Sequence, residues 1–187
     1  ANEKNDLINA GWHDEGVAWY GVSATMPTFS FEACLLAGGW QGAKYSSQIC
    51  GNPGGDNSIL GFKANIAGYE GFSGSITYAG HFSQIGWQTP VSEGAITGDL
   101  NPEHPMEAIK VSLTGELASV YNIYYRAFVH NLGWLDWACN GNPAGTEGRT
   151  QSVIALQVQL VSKGVAAPGP TAGTHYGGNS SKRPAYD

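Results

Sequence analysis

Residues 76–87 read Ile-Thr-Tyr-Ala-Gly-His-Phe-Ser-Gln-Ile-Gly-Trp, and the Gly-Trp pair that ends this stretch recurs at a fixed spacing. The tryptophans Trp40, Trp87 and Trp134 each follow a glycine, and successive ones lie 47 residues apart. A repeat of this length indicates one supersecondary unit that is used three times. Functional residues are therefore sought first at positions that occur in all three units.

The match between the units extends beyond the tryptophan without any gap. An aromatic residue precedes each tryptophan by nine positions, and a glycine follows it by eleven. Further along, apolar and polar residues alternate in each unit, which is the period-two pattern of a β-strand with one buried face. The apolar positions are Phe62, Ala64 and Ile66, then Ile109, Val111 and Leu113, then Leu156, Val158 and Leu160.

One such unit cannot bury its own apolar face, whereas three units arranged about an axis can. The sequence therefore predicts an all-β, pseudo-threefold symmetric closed body that resembles a β-prism, with a β-trefoil as the alternative. Residues 103–112 contain helix formers, but their counterparts alternate, so a strand is predicted there as well. We expect one globular domain with a lead-in (1–23), three repeats (24–70, 71–117 and 118–164) and a Gly/Pro/Ser-rich tail (165–187).

Composition argues against two classes of partner. The 187-residue chain has a net charge of −6 and nine Lys and Arg residues without a basic cluster, which disfavours binding to nucleic acid and to anionic membranes. No apolar run is long enough to span a bilayer. The start at Ala1, without a signal segment, fits a processed secreted protein as well as a trimmed chain.

The three units resemble tandem repeats of a known family, the clostridial hydrophobic repeat with a conserved tryptophan, or ChW repeat. The resemblance covers roughly residues 24–164 and is specific in the second and third units. The resemblance rests on Tyr78, His81, Gly86-Trp87, an acidic-Gly turn and the strand Met-Glu-Ala-Ile-Lys-Val-Ser-Leu at 106–113. The other two units depart from the family pattern at two positions. The third unit has Phe128 and Ile154 where the second has His81 and Glu107, and the first has Cys34 and Leu60. The resemblance implies an extracellular or cell-surface module that binds glycans or mediates adhesion.

The aromatic residues allow two interpretations. The repeated tryptophans could stack on sugars, but their apolar neighbours favour burial as core pillars, with the indole N–H bonded to a loop carbonyl. Rings outside the repeated position are better candidates for exposure on the surface. These rings are Trp19, Tyr45, Trp137 and Tyr176.

Polar turns between each tryptophan and the last strand are the predicted ligand sites. Asp, Asn, Gln and Glu side chains supply the donors and acceptors that sugar hydroxyls need, although the same residues also simply form turns. The predicted ligand-binding residues are Gln48, Asn52, Glu93, Asp99, Asn101, Asp136, Trp137, Asn140, Asn142 and Glu147.

No nucleophile, zinc or calcium motif occurs in the chain, so we expect no catalytic residue, no metal and no cofactor. His81 is expected to be a structural histidine. The predicted function is that of a secreted, non-catalytic, lectin-like protein with several sites for glycans or cell-wall polysaccharide. The alternative is a protein-binding adhesin or inhibitor.

Two further expectations concern the cysteines and the tail. If Cys34 and Cys50 meet, their disulfide closes a loop of about 16 residues and leaves Cys139 as the free thiol. The tail is expected to lie along its own body or to reach a neighbouring chain, which would make the protein a homo-oligomer.

Overall fold

The computed structural model describes residues 26–177. The predicted lead-in, residues 1–23, and the candidate ring Trp19 lie outside this range. The protein is all-β: the described residues form three sheets of four, five and six strands, and none of these sheets closes on itself.

Every unit contains a long first strand, short strands that turn back onto it, and a long last strand. The first unit comprises β1 (Thr28–Leu35), β2 (Gly39–Trp40), β3 (Lys44–Tyr45), β4 (Ile49–Gly51) and β5 (Ile59–Ala67). The second comprises β6 (Ile76–Phe82), β7 (Gly86–Trp87), β8 (Val91–Ser92), β9 (Met106–Leu113) and the short helix α1 (Gly115–Val120). The third comprises β10 (Tyr121–Val129), β11 (Gly133–Trp134), β12 (Ala138–Cys139), β13 (Ala144–Thr146) and β14 (Val153–Ser162), and the tail adds β15 (His175–Tyr176).

The two long strands of each unit form an antiparallel pair, β1 with β5, β6 with β9 and β10 with β14. A register shift interrupts each pair at the same repeat position, after Cys34, His81 and Phe128. The Gly-Trp strand folds back onto the first long strand, so that Trp87 lies opposite His81. The three units therefore share their strand pairing as well as their sequence pattern.

The core consists of the inward faces of these long strands. All nine alternating apolar positions predicted to point inward are buried, and a strand forms at residues 106–113 as β9, whereas residues 103–105 of the predicted stretch precede it. The aromatic residue nine positions before each tryptophan is buried as well, as Phe31, Tyr78 or Tyr125. Period-two alternation thus identified the core-facing side of each strand correctly.

Each unit also lends a short segment to the last strand of another unit. β4 of the first unit pairs with β14 of the third, and β13 of the third pairs with β9 of the second. Thr97 of the second unit forms an isolated bridge to Phe62 of the first. Every unit therefore gives one segment and receives one.

The repeated glycine eleven residues after each tryptophan makes this exchange possible. Gly51, Gly98 and Gly145 all have positive φ, and a Cβ atom at each would collide with a backbone carbonyl oxygen of another unit. The distances would be 2.3 Å to Ile154, 2.5 Å to Leu60 and 2.3 Å to Glu107. Only glycine tolerates both the conformation and the close approach.

Candidate functional site

In the first unit, the predicted ligand residues Gln48 and Asn52 flank β4 and are both exposed. The Gln48 side-chain oxygen accepts the Tyr45 amide at 2.8 Å, and the Asn52 carbonyl accepts the Gly55 amide at 2.9 Å. The structure thus gives both residues a role in forming turns, and it does not bring them together with the other predicted residues.

In the second unit, Asp99 and Asn101 form consecutive turns. Asp99 accepts the Asn101 amide at 3.0 Å and contacts His104 Nδ1 at 2.7 Å, and these interactions lower the pKa of Asp99. Asn101 accepts the amide two residues further on. The exposed Glu93 lies elsewhere and accepts a hydrogen bond from Ser75 Oγ at 3.1 Å. These three carboxylate and amide groups are engaged within the chain.

In the third unit, Asp136 and Trp137 are covered by the tail. We call residues 169–176 the strap. The Asp136 amide donates to the Gly173 carbonyl at 3.0 Å, the Asp136 carboxylate accepts the Gly173 amide at 2.8 Å, and the Trp137 amide donates to the Pro170 carbonyl. Trp137 is only 5% exposed. The prediction of an exposed Trp137 ring is therefore wrong, because the strap passes so close that a Cβ at Gly169 would lie 3.0 Å from the indole nitrogen.

The strap and the third unit together enclose a cleft of about 430 Å³. Two predicted ligand residues line it, the edge of Trp137 and the exposed amide of Asn142. Residues that the sequence did not single out complete the lining. They are Tyr124, Ala138, Cys139, Pro143, Thr171 and Thr174.

The wall that carries Asn142 is held in place by polar contacts with Tyr125 and Cys139. The Tyr125 hydroxyl donates to the Asn142 carbonyl and accepts the Gly141 amide, and burial raises the pKa of Tyr125 so that it stays protonated. The Asn142 side chain donates to the Cys139 carbonyl at 2.9 Å. Asn140 points elsewhere, because its side-chain oxygen accepts the Ile123 amide at 2.9 Å. Asn142 therefore faces the cleft from a fixed turn, whereas Asn140 supports the strand beside it.

Glu147 lies at the centre of a cluster of ionisable groups at the junction of the second unit, the third unit and the strap. Its carboxylate accepts the Trp87 indole N–H at 2.6 Å and lies 2.5 Å from His175 Nε2 and 3.8 Å from His81 Nε2. The other nitrogen of His81 lies 3.3 Å from the Glu107 carboxylate. Glu107 is only 3% exposed, and this burial raises its pKa. We call these five residues the polar junction.

The corresponding positions in the other units carry apolar residues or cysteine. Leu100 lies 47 residues before Glu147 and packs over Gly61 of the first unit. Pro53 lies 47 residues before Leu100, and the residues that follow it line a second cleft together with Phe128. The polar junction joins three repeat positions, one from the lent segment and two from the receiving strands, and the same three positions recur in the other units. The three sets are Glu147 with His81 and Glu107, Leu100 with Cys34 and Leu60, and Pro53 with Phe128 and Ile154.

The repeated tryptophans are half-buried on the outer faces of the sheets, so the prediction that they are core pillars is wrong. Trp87 and Trp134 pack edge-on against their cross-strand neighbours, His81 and Phe128. A cation lies over each ring within 4.1–4.4 Å of the centroid, Lys63 over Trp40, Lys110 over Trp87 and Arg126 over Trp134. Because a cation covers one face, these rings are poorly placed as sugar platforms.

The three cysteines are free, so the predicted Cys34–Cys50 disulfide is absent. Inward positions of β1 alternate with outward ones, and Cys34 lies opposite Trp40 on the outer face. Cys50 belongs to the hydrophobic core. The Cys34 side chain therefore lies on the outer face of its sheet, and the Cys50 side chain lies in the core.

A known family model matches two segments of the chain. Residues 81–115 and 128–162 match the family model described as Clostridial hydrophobic W. Two segments of the chain are thus similar to ChW repeats. The matched segments lie in the second and third units and do not include the first. No curated protein and no solved structure matches the chain.

Within residues 26–177, no group of three or more His, Cys, Asp and Glu side chains is arranged to hold a metal ion. No helix in the same part of the chain is long and apolar enough to cross a membrane. The contacts of the strap and the lining described above make the cleft beneath the strap the candidate site, with the polar junction beside it.

Proposed function

We propose that this protein is a non-catalytic carbohydrate-binding protein of the extracellular space or cell surface, and that its ligand binds in the cleft beneath the strap. The observation that carries the proposal is the convergence of the Tyr124 ring, the Asn142 amide and the threonines of the strap around one cleft. Sugar sites combine an aromatic face with a few fixed donors and acceptors. Tyr124 is half-buried and Asn142 is exposed, so both kinds of group are available to a ligand.

The chemistry of the lining favours binding without catalysis. No carboxylate is among the described residues that line the cleft, whereas glycoside hydrolysis generally needs a pair of them. Among the described residues of the lining, Cys139 carries a thiol, and burial raises its pKa. A thiol with a raised pKa is a poor nucleophile at neutral pH, because the thiolate is the reactive form.

The cyclic exchange of segments supports a pseudo-threefold, β-prism-like arrangement of the three units. The first unit lends to the third, the third to the second and the second to the first. At all three places a repeated glycine crosses the receiving strand at the equivalent residue. Three open sheets joined in this way would form a closed body without any single sheet closing on itself.

The proposal predicts that Tyr124→Ala lowers the affinity for polysaccharide about tenfold or more, because the ring supplies the apolar face of the cleft. Binding is measured by pull-down on peptidoglycan, chitin, cellulose and mannan, followed by titration with the polysaccharide that binds best. Tyr45→Ala is the matched control, since Tyr45 is 51% exposed and lies outside the cleft. Equal affinities for both variants, or no binding of wild-type protein to any of these polymers, would contradict the proposal.

A further inference from the structure

The polar junction is an exception within an otherwise repeated architecture. The equivalent positions in the other two exchanges carry no carboxylate or imidazole group: they are Leu100, Cys34 and Leu60 in one and Pro53, Phe128 and Ile154 in the other. The fold itself therefore does not require charges at this place. Buried ion pairs are often no more stabilising than apolar residues of similar volume. The ionisable residues of the polar junction therefore point to a role other than packing.

The polar junction differs from the equivalent places in the other units because the strap is bound there as an additional partner. β13 pairs with β9 on one side and with β15 of the strap on the other, in parallel register from Gly145–His175 to Thr146–Tyr176. The strap is bound there by the Gly145 amide, which donates to the Thr174 carbonyl at 2.9 Å, and by the Glu147 amide, which donates to the Tyr176 carbonyl at 2.9 Å. β4 and Thr97 are the segments equivalent to β13 in the other two exchanges. Among the described residues, no strand pairs with them on the side that the strap occupies on β13.

We infer that Glu147 is a positioning residue that fastens the strap to the third unit, and that the rest of the polar junction orients its carboxylate. One carboxylate oxygen contacts His175 of the strap at 2.5 Å, and the other accepts the Trp87 indole N–H. His81 approaches the latter oxygen and links it to the buried Glu107. Glu107 in turn accepts the Thr150 amide at 3.1 Å, so a backbone hydrogen bond holds the carboxylate that His81 contacts.

The bound strap forms one wall of the cleft, and the third unit forms the other. Thr171 and Thr174 line the cleft from the strap side, and Thr174 also donates its hydroxyl proton to the Pro143 carbonyl at 3.0 Å. The second unit has Pro90 at the position of Trp137, so it lacks the N–H that binds the strap. The consequence for ligands rests on the proposed function: residues 26–177 present one strap-walled carbohydrate site, where the sequence alone suggested several equivalent ones.

The strap can be followed directly by amide hydrogen exchange, read by NMR in the full chain. The amides of Gly145 and Trp137 donate to strap carbonyls, whereas the Phe62 amide donates to Thr97 and serves as the internal reference. We expect Glu147→Leu to accelerate exchange at Gly145 about tenfold or more and to leave Phe62 unchanged. Leucine already occupies the equivalent position as Leu100, so the variant should fold.

Three further variants keep the inference falsifiable. His175→Ala removes the other partner and should accelerate the Gly145 amide to the same extent as Glu147→Leu, with no additional effect in the double variant. Glu147→Gln keeps an acceptor for Trp87 and a polar contact for His175, so it should restore most of the protection. His104→Ala, which disrupts a comparable His–Asp contact at Asp99, should leave the Gly145 amide unaffected. Exchange at Gly145 within twofold of wild type in both Glu147→Leu and His175→Ala would overturn the inference.

Binding to the polysaccharide chosen above separates this inference from the proposed function. A loosened strap together with weakened binding supports both. A loosened strap with unchanged binding retains the role of Glu147 and rejects the cleft as the binding site. An unchanged strap with weakened binding rejects the role of Glu147 in fastening the strap.

Discussion

Gly51→Ala is expected to destabilise the protein by about 3–5 kcal/mol. The substitution adds two costs, a positive φ for a residue with a Cβ atom and a steric clash between two units. Gly51 has φ +91°, and the new Cβ would lie 2.3 Å from the Ile154 carbonyl oxygen and 2.9 Å from the Ala155 Cα. Neither atom can move without displacing β14. The free energy of unfolding, measured by chemical denaturation, gives the effect.

Gly133→Ala separates the two costs. Gly133 also has a positive φ, +83°, but a Cβ there would meet nothing within 4 Å. We expect this control to lose only about 1 kcal/mol, the conformational part alone. If Gly51→Ala and Gly133→Ala destabilise the protein equally, the first and third units are not in the close contact described above.

His81→Phe is expected to destabilise the protein by about 3 kcal/mol at neutral pH, even though phenylalanine occupies the equivalent position in the third unit as Phe128. The variant removes the imidazole that lies 3.3 Å from the Glu107 carboxylate. A buried charge without its partner is strongly unfavourable. Adding Glu107→Ile, which copies Ile154, should reverse the loss and make the double variant about 1–4 kcal/mol more stable than wild type.

The pH dependence gives an independent check on Glu107. Burial raises the pKa of this carboxyl group above its ordinary value of 4.5, so folding takes up a proton. The stability that this group contributes is present below pH 4.5 and is lost as the pH rises through the folded-state pKa. His81 lowers the pKa of Glu107 against this burial, so His81→Phe should raise that pKa further. The loss in His81→Phe should then be larger at pH 8 than at pH 5, and the double variant should lack this pH dependence. Chemical denaturation of wild type, His81→Phe and the double variant at both pH values measures this difference, and a loss that grows toward pH 5 would contradict the assignment.

The all-β class and the inward faces of the long strands could be predicted because both follow from local alternation. The position of the tryptophans depends on a further fact, the register of the hairpin. Phe82 points inward and His81 outward, and Trp87 lies opposite His81, so the indole must lie on the outer face. The apolar neighbours Ile85 and Leu132 suggested burial because a sequence shows which residues are adjacent but not how a hairpin is aligned.

The residues of the polar junction can be recognised when the sequences of the three units are compared. The second unit has His81 and Glu107 where the other units have cysteine or apolar residues, and the third unit has Glu147 where the other units have leucine and proline. What the sequence could not show is that these positions meet, since Glu147 belongs to a different unit and contacts the second unit only through the exchange of segments. The strap was harder to predict, because its Gly- and Pro-rich composition resembles a linker. Its order comes from backbone hydrogen bonds to β13 and Trp137 that composition does not encode.

Chemical-shift mapping of the cleft during titration with soluble sugars tests the central claim most directly. Single sugar sites are commonly millimolar, so a panel of disaccharides and peptidoglycan fragments is titrated to about 20 mM while ¹⁵N–¹H spectra are recorded. We predict saturable shifts of the Asn142 side-chain amide and of the Thr171 and Thr174 backbone amides with at least one sugar, and none at Tyr45. Saturable shifts confined to residues outside the cleft, or no shift at these three residues with any member of the panel, would contradict the account.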